Sequence, residues 1–371
     1  MQSGFASEID RRFMAAAIRY SRWHLGLTGT NPSVATLIVR DDGAGPRIVG
    51  RGVTALGGRP HAEREALEEA GEAARGAVAY VTLEPCAHHG RTPPCATALI
   101  TAGITRVVGA ASDPDPRVSG KGYAMLRQAG IEVVEGVLAD QAADLMSGYL
   151  TRSTKMRPEV ILKLAISADG MIGIKGQGQI WITGEVARRQ VHLMRAEADA
   201  ILVGINTALA DDPLLTCRLP GLEVRSPTRI VLDRHMRLPP SSALVRSARQ
   251  VPLLVTAAQD AHDERRALLT EAGVRFLAVE SLDAHIALPE LLEDIGARGF
   301  MTLLVEGGAI TARQFLAEGL VDRLCLFIGS TEIGGQGIAA PIDPGQMSSG
   351  FSKLREERFG EDHYIEYVRS G

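Results

Sequence analysis

The 371-residue sequence has little cysteine and no long apolar run. Its four cysteines are Cys86, Cys95, Cys217 and Cys325, too few in a chain of this length to indicate a disulfide framework. The segment from Met1 to Asp10 lacks a cationic stretch followed by an apolar one, so no secretory signal is expected. No stretch approaches the roughly 18 apolar residues that a membrane helix needs. We therefore expect a cytoplasmic protein with no membrane partner.

An excess of positive charge is also missing. The formal net charge is -4 and the pI is near 6.2, whereas dedicated nucleic-acid binders carry a basic surface. We therefore expect no nucleic-acid partner, although this charge leaves room for a local basic pocket that takes a small phosphorylated substrate. With 45% hydrophobic residues and a mean hydropathy of +0.04, the composition is that of a globular protein of about two domains.

Helices and strands are predicted to alternate along the chain, which favours layered α/β domains. The cationic segment Tyr149–Pro158 ends in proline and contains the predicted linker. We place the first domain at residues 1–150, the linker at 151–158 and the second domain at 159–371. Helices are predicted at Glu8–Leu25, His61–Ala74, Cys95–Ala102, Gly122–Ala129, Glu185–Ala196, Asp263–Ala272, Ile286–Ala297 and Ile310–Ala317. Strands are predicted at Val34–Val39, Ile48–Val53, Val78–Leu83, Thr105–Ala110, Ile131–Val134, Val160–Ser167, Ala200–Val203, Thr228–Leu232, Pro252–Thr256, Thr302–Val305 and Arg323–Ile328.

The strongest chemical signal is His61-Ala62-Glu63, followed by Pro85-Cys86 and then Cys95. A catalytic zinc ion takes three protein ligands and keeps one position for water, and one histidine with two cysteines meets that count. His61 and Cys95 each follow proline at the start of a predicted helix, where the helix dipole favours a thiolate. Glu63 is close enough to move a proton without being a ligand. This order matches the signature of zinc-dependent base deaminases.

Two simpler interpretations compete with a catalytic zinc site. His-Ala-Glu alone, or Pro-Cys alone, occurs often by chance. A purely structural zinc site would need a fourth protein ligand, which His88 or His89 could supply. The combination of order, spacing and helix placement favours the catalytic interpretation.

The string LEPCAHHGRTPPC at Leu83–Cys95 resembles the deaminase half of the bifunctional riboflavin-biosynthesis deaminase/reductase family. The resemblance continues at Asn31-Pro32 and at Asp113–Gly122. It implies a cytidine-deaminase-like α/β/α sandwich, with Arg91 near the substrate phosphate and Asn31 on the base or ribose. Eight residues lie between Cys86 and Cys95, whereas the general deaminase signature has two residues between its cysteines.

Two positions depart from the family's pattern beside Asn31. Ser33 stands where the family has asparagine, and Ala35 stands where it has glycine. A methyl group at Ala35 could narrow the pocket or require a different backbone angle. Recognition of the base is therefore left open at this point, whereas the zinc chemistry is not affected.

The second half has no G-x-G-x-x-G motif after its first strand, so a Rossmann site is not supported. Its blocks are KLAISADG at Lys163–Gly170, Trp181-Ile182-Thr183, Asp199–Thr216 and VEGG at Val305–Gly308. In this order they resemble the reductase half of the same family, which has a dihydrofolate-reductase-like fold. The two glycines after Glu306 would let backbone N–H groups approach a pyrophosphate.

The resemblance assigns residues of the second half to two ligands, NADPH and the phosphorylated pyrimidine substrate. NADPH-contacting positions are Ala165, Trp181, Thr207, Asp211 and Gly308. Substrate positions are Arg195, Leu215, Arg218 and Glu306, with Lys163 as a possible partner at the reacting sugar. The two arginines suit a ribose phosphate as bidentate donors. Gln179 replaces a serine of the family.

The expected reactions are deamination of 2,5-diamino-6-ribosylamino-4(3H)-pyrimidinone 5′-phosphate and NADPH-dependent reduction of the resulting ribosyl chain to ribityl. Three alternatives stay open: a nucleic-acid base deaminase, a non-catalytic zinc-stabilised binding protein, and a chain whose reductase half has degenerated. A homo-oligomer is expected. The sequence does not settle which residue selects NADPH over NADH, for which Arg234 is one candidate.

Overall fold

The computed structural model describes residues 6–89, 93–258, 263–279, 281–282, 285–343 and 350–370. The chain divides into two compact units, Met1–Met156 and Arg157–Gly371. Within the described ranges, no helix has the length and apolar character needed to cross a membrane.

A five-stranded mixed sheet forms the centre of the first unit. Its strands run in the order β2-β1-β3-β4-β5; β1 is antiparallel to both of its neighbours, and β3, β4 and β5 are parallel. The strands are β1 (Ala35–Arg40), β2 (Arg47–Val53), β3 (Val78–Leu83), β4 (Arg106–Ala111) and β5 (Glu132–Val134). The helices are α1 (Glu8–Ser21), α2 (Ala62–Ala70), α3 (Cys95–Thr101), α4 (Lys121–Gln128), α5 (Ala139–Leu145) and α6 (Ser147–Lys155).

Successive residues of the central strands point to opposite faces of this sheet, and both faces are buried. Leu37 packs with Met14 of α1 in a core on one face, and Ile38 packs with Leu99 of α3 in a core on the other. Helices therefore cover both faces of the sheet. The predicted α/β/α sandwich is confirmed.

Two glycines bring helix α2 unusually close to strand β2. A Cβ atom on Gly50 would lie 2.2 Å from the backbone oxygen of Ala66, and one on Gly52 would lie 2.1 Å from that of Ala62. Any side chain at either position would push α2 away from the sheet. The close approach matters because the first turn of α2 carries His61 and Glu63.

The predicted linker is mostly wrong. Residues from Ser147 to Lys155 form helix α6 of the first unit, and the division between the units falls after Met156. Of the cationic residues that suggested a solvated connector, Arg152 and Lys155 lie on α6, whereas Arg157 belongs to the second unit and pairs with Asp322.

A nine-stranded sheet forms the centre of the second unit, in the order β11-β10-β9-β8-β14-β6-β15-β18-β17. The strands of the unit are β6 (Glu159–Ile166), β7 (Met171–Ile174), β8 (Ala200–Gly204), β9 (Thr228–Leu232), β10 (Leu253–Ala257), β11 (Arg275–Ala278), β12 (Ser281–Leu282), β13 (His285–Ile286), β14 (Thr302–Val305), β15 (Arg323–Ile328), β16 (Gly337–Ala339), β17 (Phe351–Phe359) and β18 (Asp362–Arg369). The helices are α7 (Glu185–Glu197), α8 (Ile205–Asp211), α9 (Ala243–Arg246), α10 (Asp263–Glu271), α11 (Leu288–Ala297) and α12 (Ala309–Ala317).

In the order of the sheet, neighbouring strands are parallel from β11 through β10, β9, β8, β14 and β6 to β15. Strands β18 and β17 then extend the sheet as an antiparallel hairpin. Leu202 and Ile201 of β8 point into separate cores on the two faces. The carboxyl ends of β9, β8 and β14 are neighbours, so the loops that follow them meet at one edge, where ligands of open α/β sheets bind. Strands β7 and β16 form a small ribbon of their own.

Several elements of the second unit are not predicted by the sequence. The largest of these unpredicted elements is the β17–β18 hairpin. The residues of β17 between its ends are exposed and mostly charged. Strand β17 therefore lacks the alternation of apolar and polar residues that marks a half-buried strand. The short helix α8 is another. It ends at Asp211, and the next residue, Asp212, has a positive φ of 38°.

The close packing of α2 on β2 predicts a specific sensitivity at Gly52. We expect Gly52→Ala to lower the free energy of unfolding of the first unit by about 1–3 kcal/mol, because overpacking forces the backbones apart. The displaced α2 should also lower zinc content. Thermal unfolding and metal analysis measure the two effects.

Arg51→Ala is the matched control, because Arg51 lies on the same strand with its side chain 60% exposed. It should change stability by less than about 1 kcal/mol. Equal stability and zinc content in Gly52→Ala and the wild type would contradict the packing argument.

Candidate active sites

His61, Cys86 and Cys95 converge in the first unit. Their ligand atoms all lie within 4.8 Å of one another, and this is the one group of three or more potential metal ligands in the part of the chain that the structure describes. The His61 Nδ1 atom lies 3.8 Å from Cys86 Sγ and 3.4 Å from Cys95 Sγ. Tetrahedral zinc with one imidazole and two thiolates separates N from S by about 3.5 Å, so these residues fit zinc.

Three local structures hold the ligands in place. His61 is the N-cap of α2, and Cys95 is the first residue of α3. Cys86 follows β3, and its sulfur accepts a hydrogen bond from the Cys95 backbone N–H at 3.2 Å. The predicted placement of ligands at helix starts is confirmed for His61 and Cys95.

The two thiols have opposite shifts in pKa when no metal is bound. Hydrogen bonding from Cys95, and then from His61, lowers the pKa of Cys86 to about 4. The hydrogen bond to Cys86, together with burial, raises the pKa of Cys95. One thiolate is therefore already favoured, and a bound cation would favour the second because metal ligation requires deprotonated sulfur.

Glu63 lies in the first turn of α2, two residues after His61, and is buried, with 4% exposure. Burial, and then the neighbouring Cys86 thiolate, raises its pKa above the ordinary value of 4.5. It is not part of the ligand group, yet it lines the same pocket as His61 and Cys86. A buried carboxyl group beside a metal site, itself outside the ligand set, is suited to accept and donate protons.

The pocket around these residues has a volume of about 610 Å³, large enough for a nucleotide-sized ligand. Asn31, Asp113, Tyr149 and Arg152 are among its lining residues. The Tyr149 hydroxyl donates to the Asp113 carboxylate at 3.0 Å. Tyr149 and Arg152 belong to α6, so part of the region predicted as linker contributes to this site.

Gly58 fixes the position of Asn31, and sequence reasoning missed it. A Cβ atom on Gly58 would lie 2.4 Å from the Asn31 side-chain nitrogen, and φ of Gly58 is +90°. The backbone at Asn31 is tied as well, because the Thr28 hydroxyl donates to the Asn31 carbonyl at 2.6 Å. The Gly-Gly pair of the sequence was a usable signal for such a turn.

Glu84, which directly follows β3, is linked by hydrogen bonds to the start of α4. Its carboxylate accepts from the backbone N–H of Gly120 and of Gly122, both at 3.0 Å. A side chain on Gly122 would meet the Pro85 carbonyl oxygen at 2.0 Å. These contacts hold the Asp113–Gly122 segment beside Cys86.

The departures at Ser33 and Ala35 lie behind the pocket wall. The Ser33 hydroxyl donates to the backbone oxygen of Ser21 at 2.6 Å and is buried. Ala35 is a fully buried strand residue whose N–H donates to Thr82 Oγ1 at 3.0 Å. Neither residue lines the pocket, so the two departures act on backbone packing.

The segment between the cysteines bears on the structural-zinc alternative. His88 and His89 line the pocket, but neither joins the group of mutually close ligand atoms. A fourth protein ligand from these histidines is therefore not supported. Arg91 lies outside the described residues.

A second pocket, of about 880 Å³, lies in the second unit at the carboxyl edge of β8, β9 and β14. Arg195 and Glu306 form a bidentate salt bridge in the wall of this pocket. Arg195 Nε and Nη2 donate to the Glu306 carboxylate at 2.7 and 2.9 Å. Lys163 Nζ lies 3.8 Å from the same carboxylate, and burial lowers the pKa of Lys163. Burial alone would raise the pKa of Glu306, but the two cations lower it to about 2.

The predicted substrate residues of the second unit differ in their burial and in whether they line the pocket. Arg218 is exposed and lines the pocket. Arg195 already uses three of its five N–H groups, because Nη1 donates to the Thr216 carbonyl at 3.1 Å in addition to the two bonds to Glu306. The side chain of Leu215 is buried in the core with a positive φ of 54° and does not line the pocket. For Leu215, only a backbone contact with substrate is compatible with this placement.

The predicted cofactor residues all line this pocket: Ala165, Trp181, Thr207, Asp211 and Gly308. Gly308 is the N-cap of α12, and its N–H donates to the Thr207 hydroxyl at 3.1 Å. Its own N–H is thus occupied, whereas the next N–H groups of α12 have no partner within the helix. A Cβ atom on Gly307 would lie 2.8 Å from Thr311 Cβ, so the strand-to-helix turn must stay free of side chains.

Both halves of the chain match known families. Residues 7–111 match the family described as the cytidine and deoxycytidylate deaminase zinc-binding region, and residues 158–364 match the RibD C-terminal domain. The riboflavin biosynthesis protein RibD of Aquifex aeolicus is 40% identical over 365 residues, covering 98% of this chain and 99% of that protein. RibD of Escherichia coli is 40% identical over 336 residues, covering 88% and 89%.

The chain belongs to the RibD family. Solved structures agree: Acinetobacter baumannii RibD has 36% identity and a TM-score of 0.84, covering 98% of this chain and 99% of that one. A deaminase/reductase from Thermotoga maritima has 32% identity and the same TM-score and coverage. The chain is a bifunctional deaminase and reductase of riboflavin biosynthesis, with zinc and NADPH as cofactors, and the predicted reductase-type fold of the second unit is confirmed.

The sequence analysis missed one residue of the reductase pocket. His192 lies three residues before Arg195 on α7 and lines the reductase pocket. Its Nδ1 accepts from the Arg218 backbone N–H at 3.3 Å. Burial and the charge of Arg195 lower the pKa of His192 to about 4. A neutral His192 therefore holds the Arg218 backbone in place at neutral pH.

The Arg195–Glu306 bridge predicts a pH-dependent stability. We expect Glu306→Gln to lower the free energy of unfolding of the second unit by about 3–5 kcal/mol above pH 5, because it leaves buried cations without a partner. The pKa of Glu306 is depressed in the folded state, so its contribution is present above its ordinary value of 4.5. It should disappear as pH falls towards 2.

Urea unfolding followed by Trp181 fluorescence, in a Trp23→Phe background, measures this difference at each pH. Glu185→Gln is the control: its pair with Arg189 is 68% exposed on both sides and contributes about 0.5 kcal/mol or less. A difference that stays constant from pH 7 to pH 2 would contradict the assigned pKa.

Proposed function

We propose that the first unit deaminates 2,5-diamino-6-ribosylamino-4(3H)-pyrimidinone 5′-phosphate, and that the second unit reduces the ribosyl chain of the product with NADPH. The observation that carries the deaminase assignment is a ligand group of one imidazole and two thiols beside a buried, non-ligating carboxyl group. The substrate is proposed from the family and from the size of the pocket. The similar Thermotoga maritima protein is a diaminohydroxyphosphoribosylaminopyrimidine deaminase and 5-amino-6-(5-phosphoribosylamino)uracil reductase.

His61, Cys86 and Cys95 would hold the zinc ion. Zinc, when bound, lowers the pKa of a coordinated water towards neutrality. Glu63 is the catalytic residue of the chain itself: its carboxylate accepts a proton from water and, once protonated, donates it to the ring nitrogen or the leaving ammonia. Its buried position in the pocket that His61 and Cys86 also line supports this role.

The mouth of the deaminase pocket supplies the contacts to the rest of the substrate. Asn31 is held by Gly58 and Thr28 and is proposed to contact the base or ribose. Arg91 is proposed to contact the phosphate. Arg59 and Arg152 also line the pocket and are further candidates for the phosphate contact.

In the reductase pocket we propose that Arg218 and Lys163 bind the phosphorylated sugar, with the backbone at Leu215 beside it. Glu306 contacts the substrate, and the main role of Arg195 is to hold Glu306 ionised and in position. Ala165, Trp181, Thr207, Asp211 and Gly308 contact NADPH, which supplies the hydride. Because this hydride must reach one carbon atom, the pocket acts mainly by positioning the two ligands.

Three expectations stay predictions: a homo-oligomer, a location in the cytoplasm, and the absence of a nucleic-acid partner. The four cysteines are unpaired thiols, which supports a reducing compartment. Light scattering on the purified chain would measure the oligomeric state.

Glu63→Gln tests the assignment most economically. We expect zinc content to persist, because Glu63 is not a ligand, and deamination to fall by a factor of about 100 or more, because the proton exchange is lost. Ammonia release from the diaminopyrimidine phosphate and metal analysis are the measurements. Undiminished deamination would show that another group moves the proton.

The reductase half provides the internal control. With the deaminated substrate supplied, Glu63→Gln should consume NADPH at the wild-type rate, because its change lies in the other unit. The wild type should consume no NADPH with the diaminopyrimidine when zinc is removed. Failure of the wild type to oxidise NADPH with the deaminated substrate would favour a degenerate reductase half.

A further inference from the structure

Residues 212–218 form a segment without helix or strand that links the proposed cofactor residue Asp211 to the proposed substrate residue Arg218. Two residues of this segment, Asp212 and Leu215, have positive φ values of 38° and 54°, which side chains other than glycine rarely adopt. The backbone groups of such a segment need hydrogen-bond partners outside it. Its conformation therefore depends on side chains from the rest of the unit.

Four residues outside the segment bond to its backbone through their side chains. They are Arg195 at the Thr216 carbonyl, Ser226 at the Cys217 N–H, His192 at the Arg218 N–H and Arg229 at the Leu214 carbonyl. Arg195 and His192 line the pocket themselves, whereas Arg229 does not. Any effect of Arg229 on a ligand must therefore pass through the segment.

Arg229 is fully buried although it carries a charge. It lies on β9 two residues before Val231, so both side chains point to the same face of the sheet, towards the core that holds Val231 and Leu215. Arg229 has no carboxylate partner among the described residues, and burial lowers its pKa to about 10, which leaves it charged at neutral pH. A buried charge without an opposite charge costs folding free energy. Stability therefore does not account for an arginine at this position.

The hydrogen bonds of Arg229 point to another role. Its Nη1 donates to the Ser247 hydroxyl at 2.7 Å and to the Leu214 carbonyl at 3.3 Å, and its Nη2 donates to the Val251 carbonyl. Ser247 and Val251 lie in the connection between α9 and β10. Arg229 thus fastens the Leu214 carbonyl, directly before the positive φ of Leu215, to that connection and to β9.

We propose that Arg229 is a positioning residue of the reductase reaction, which fixes the backbone of residues 214–218 so that the Leu215 backbone and Arg218 face the phosphorylated substrate. This inference rests on the proposed function of the second unit. It adds a residue that touches neither substrate nor cofactor.

The two ends of the segment are held independently, which gives the proposal a direction. The end next to Asp211 is held by Asp212, whose Oδ1 accepts from the Ala243 N–H at 2.7 Å. Arg229 holds the part that leads to the substrate residues. Loss of Arg229 should therefore raise KM for the substrate and leave KM for NADPH nearly unchanged, whereas a merely structural role would affect both.

Steady-state kinetics of the zinc-loaded full chain, with the deaminated substrate and NADPH varied in turn, separate the two constants. Arg229→Met keeps most of the side-chain volume and removes the donors. We expect it to raise KM for the deaminated substrate by about 10- to 100-fold, the range for hydrogen bonds from a charged group. We expect KM for NADPH and kcat to change by about twofold or less. Arg229→Lys should recover part of the loss, because an ammonium group can still donate to a carbonyl.

Hydrogen exchange of the ligand-free protein gives a readout that needs no turnover. Peptides that cover residues 214–218 should exchange faster in Arg229→Met, whereas those that cover β8 and β10 should exchange as in the wild type. Arg249→Met is the matched control, because Arg249 is an exposed arginine of the same unit that donates to the Glu271 carbonyl at 2.7 Å and lies outside the pocket. It should behave as the wild type does in both measurements.

An unchanged KM for the substrate in a folded Arg229→Met variant would overturn the inference. A parallel rise of both KM values, with faster exchange across the whole unit, would also overturn it by showing a structural role. If Arg229→Met does not fold, Ser247→Ala decides: loss of this one neutral acceptor should raise KM for the substrate by about fivefold, and an unchanged KM would refute the proposal. A wild type that does not reduce the deaminated substrate would instead remove the proposed reductase function.

Discussion

The deaminase unit depends on one constraint: two sulfur atoms and one imidazole nitrogen must lie within reach of a single zinc ion. The three residues come from the start of α2, the end of β3 and the start of α3, so the sheet and both helices must be in place for the ligand atoms to meet. Gly50 and Gly52 serve this arrangement by letting α2 lie directly on β2. Because the same helix carries Glu63, one packing contact positions both the metal ligand and the proton carrier.

The reductase unit uses a different device, a buried charge pair at the edge of a parallel sheet. Arg195 and Lys163 lower the pKa of Glu306, and Arg195 donates two hydrogen bonds to its carboxylate. We therefore propose that Arg195, which the resemblance assigns to the substrate, acts mainly by positioning Glu306. The loops after β8, β9 and β14 line one pocket, because the sheet brings these distant parts of the sequence together.

Much of this account could be predicted from the sequence. The ligand residues, Glu63, the positions of most strands along the chain and the family itself depend on local motifs, which a single sequence displays directly. Contacts between segments could not be predicted. The role of α6 in the pocket depends on the Tyr149–Asp113 hydrogen bond, and the placement of Leu215 in the core depends on a backbone angle. The β17–β18 hairpin pairs a charged strand with a buried one, and no periodicity in β17 reveals that partner.

X-ray absorption at the zinc edge of the full-length protein tests the central claim most directly, because it counts the ligands of the bound metal. The account predicts two sulfur ligands at about 2.3 Å and two nitrogen or oxygen ligands at about 2.0–2.1 Å, with outer scattering from a single imidazole. Scattering from two imidazoles would mean that His88 or His89 closes the site as a fourth protein ligand. That result, or fewer than two sulfurs, would contradict a catalytic zinc centre.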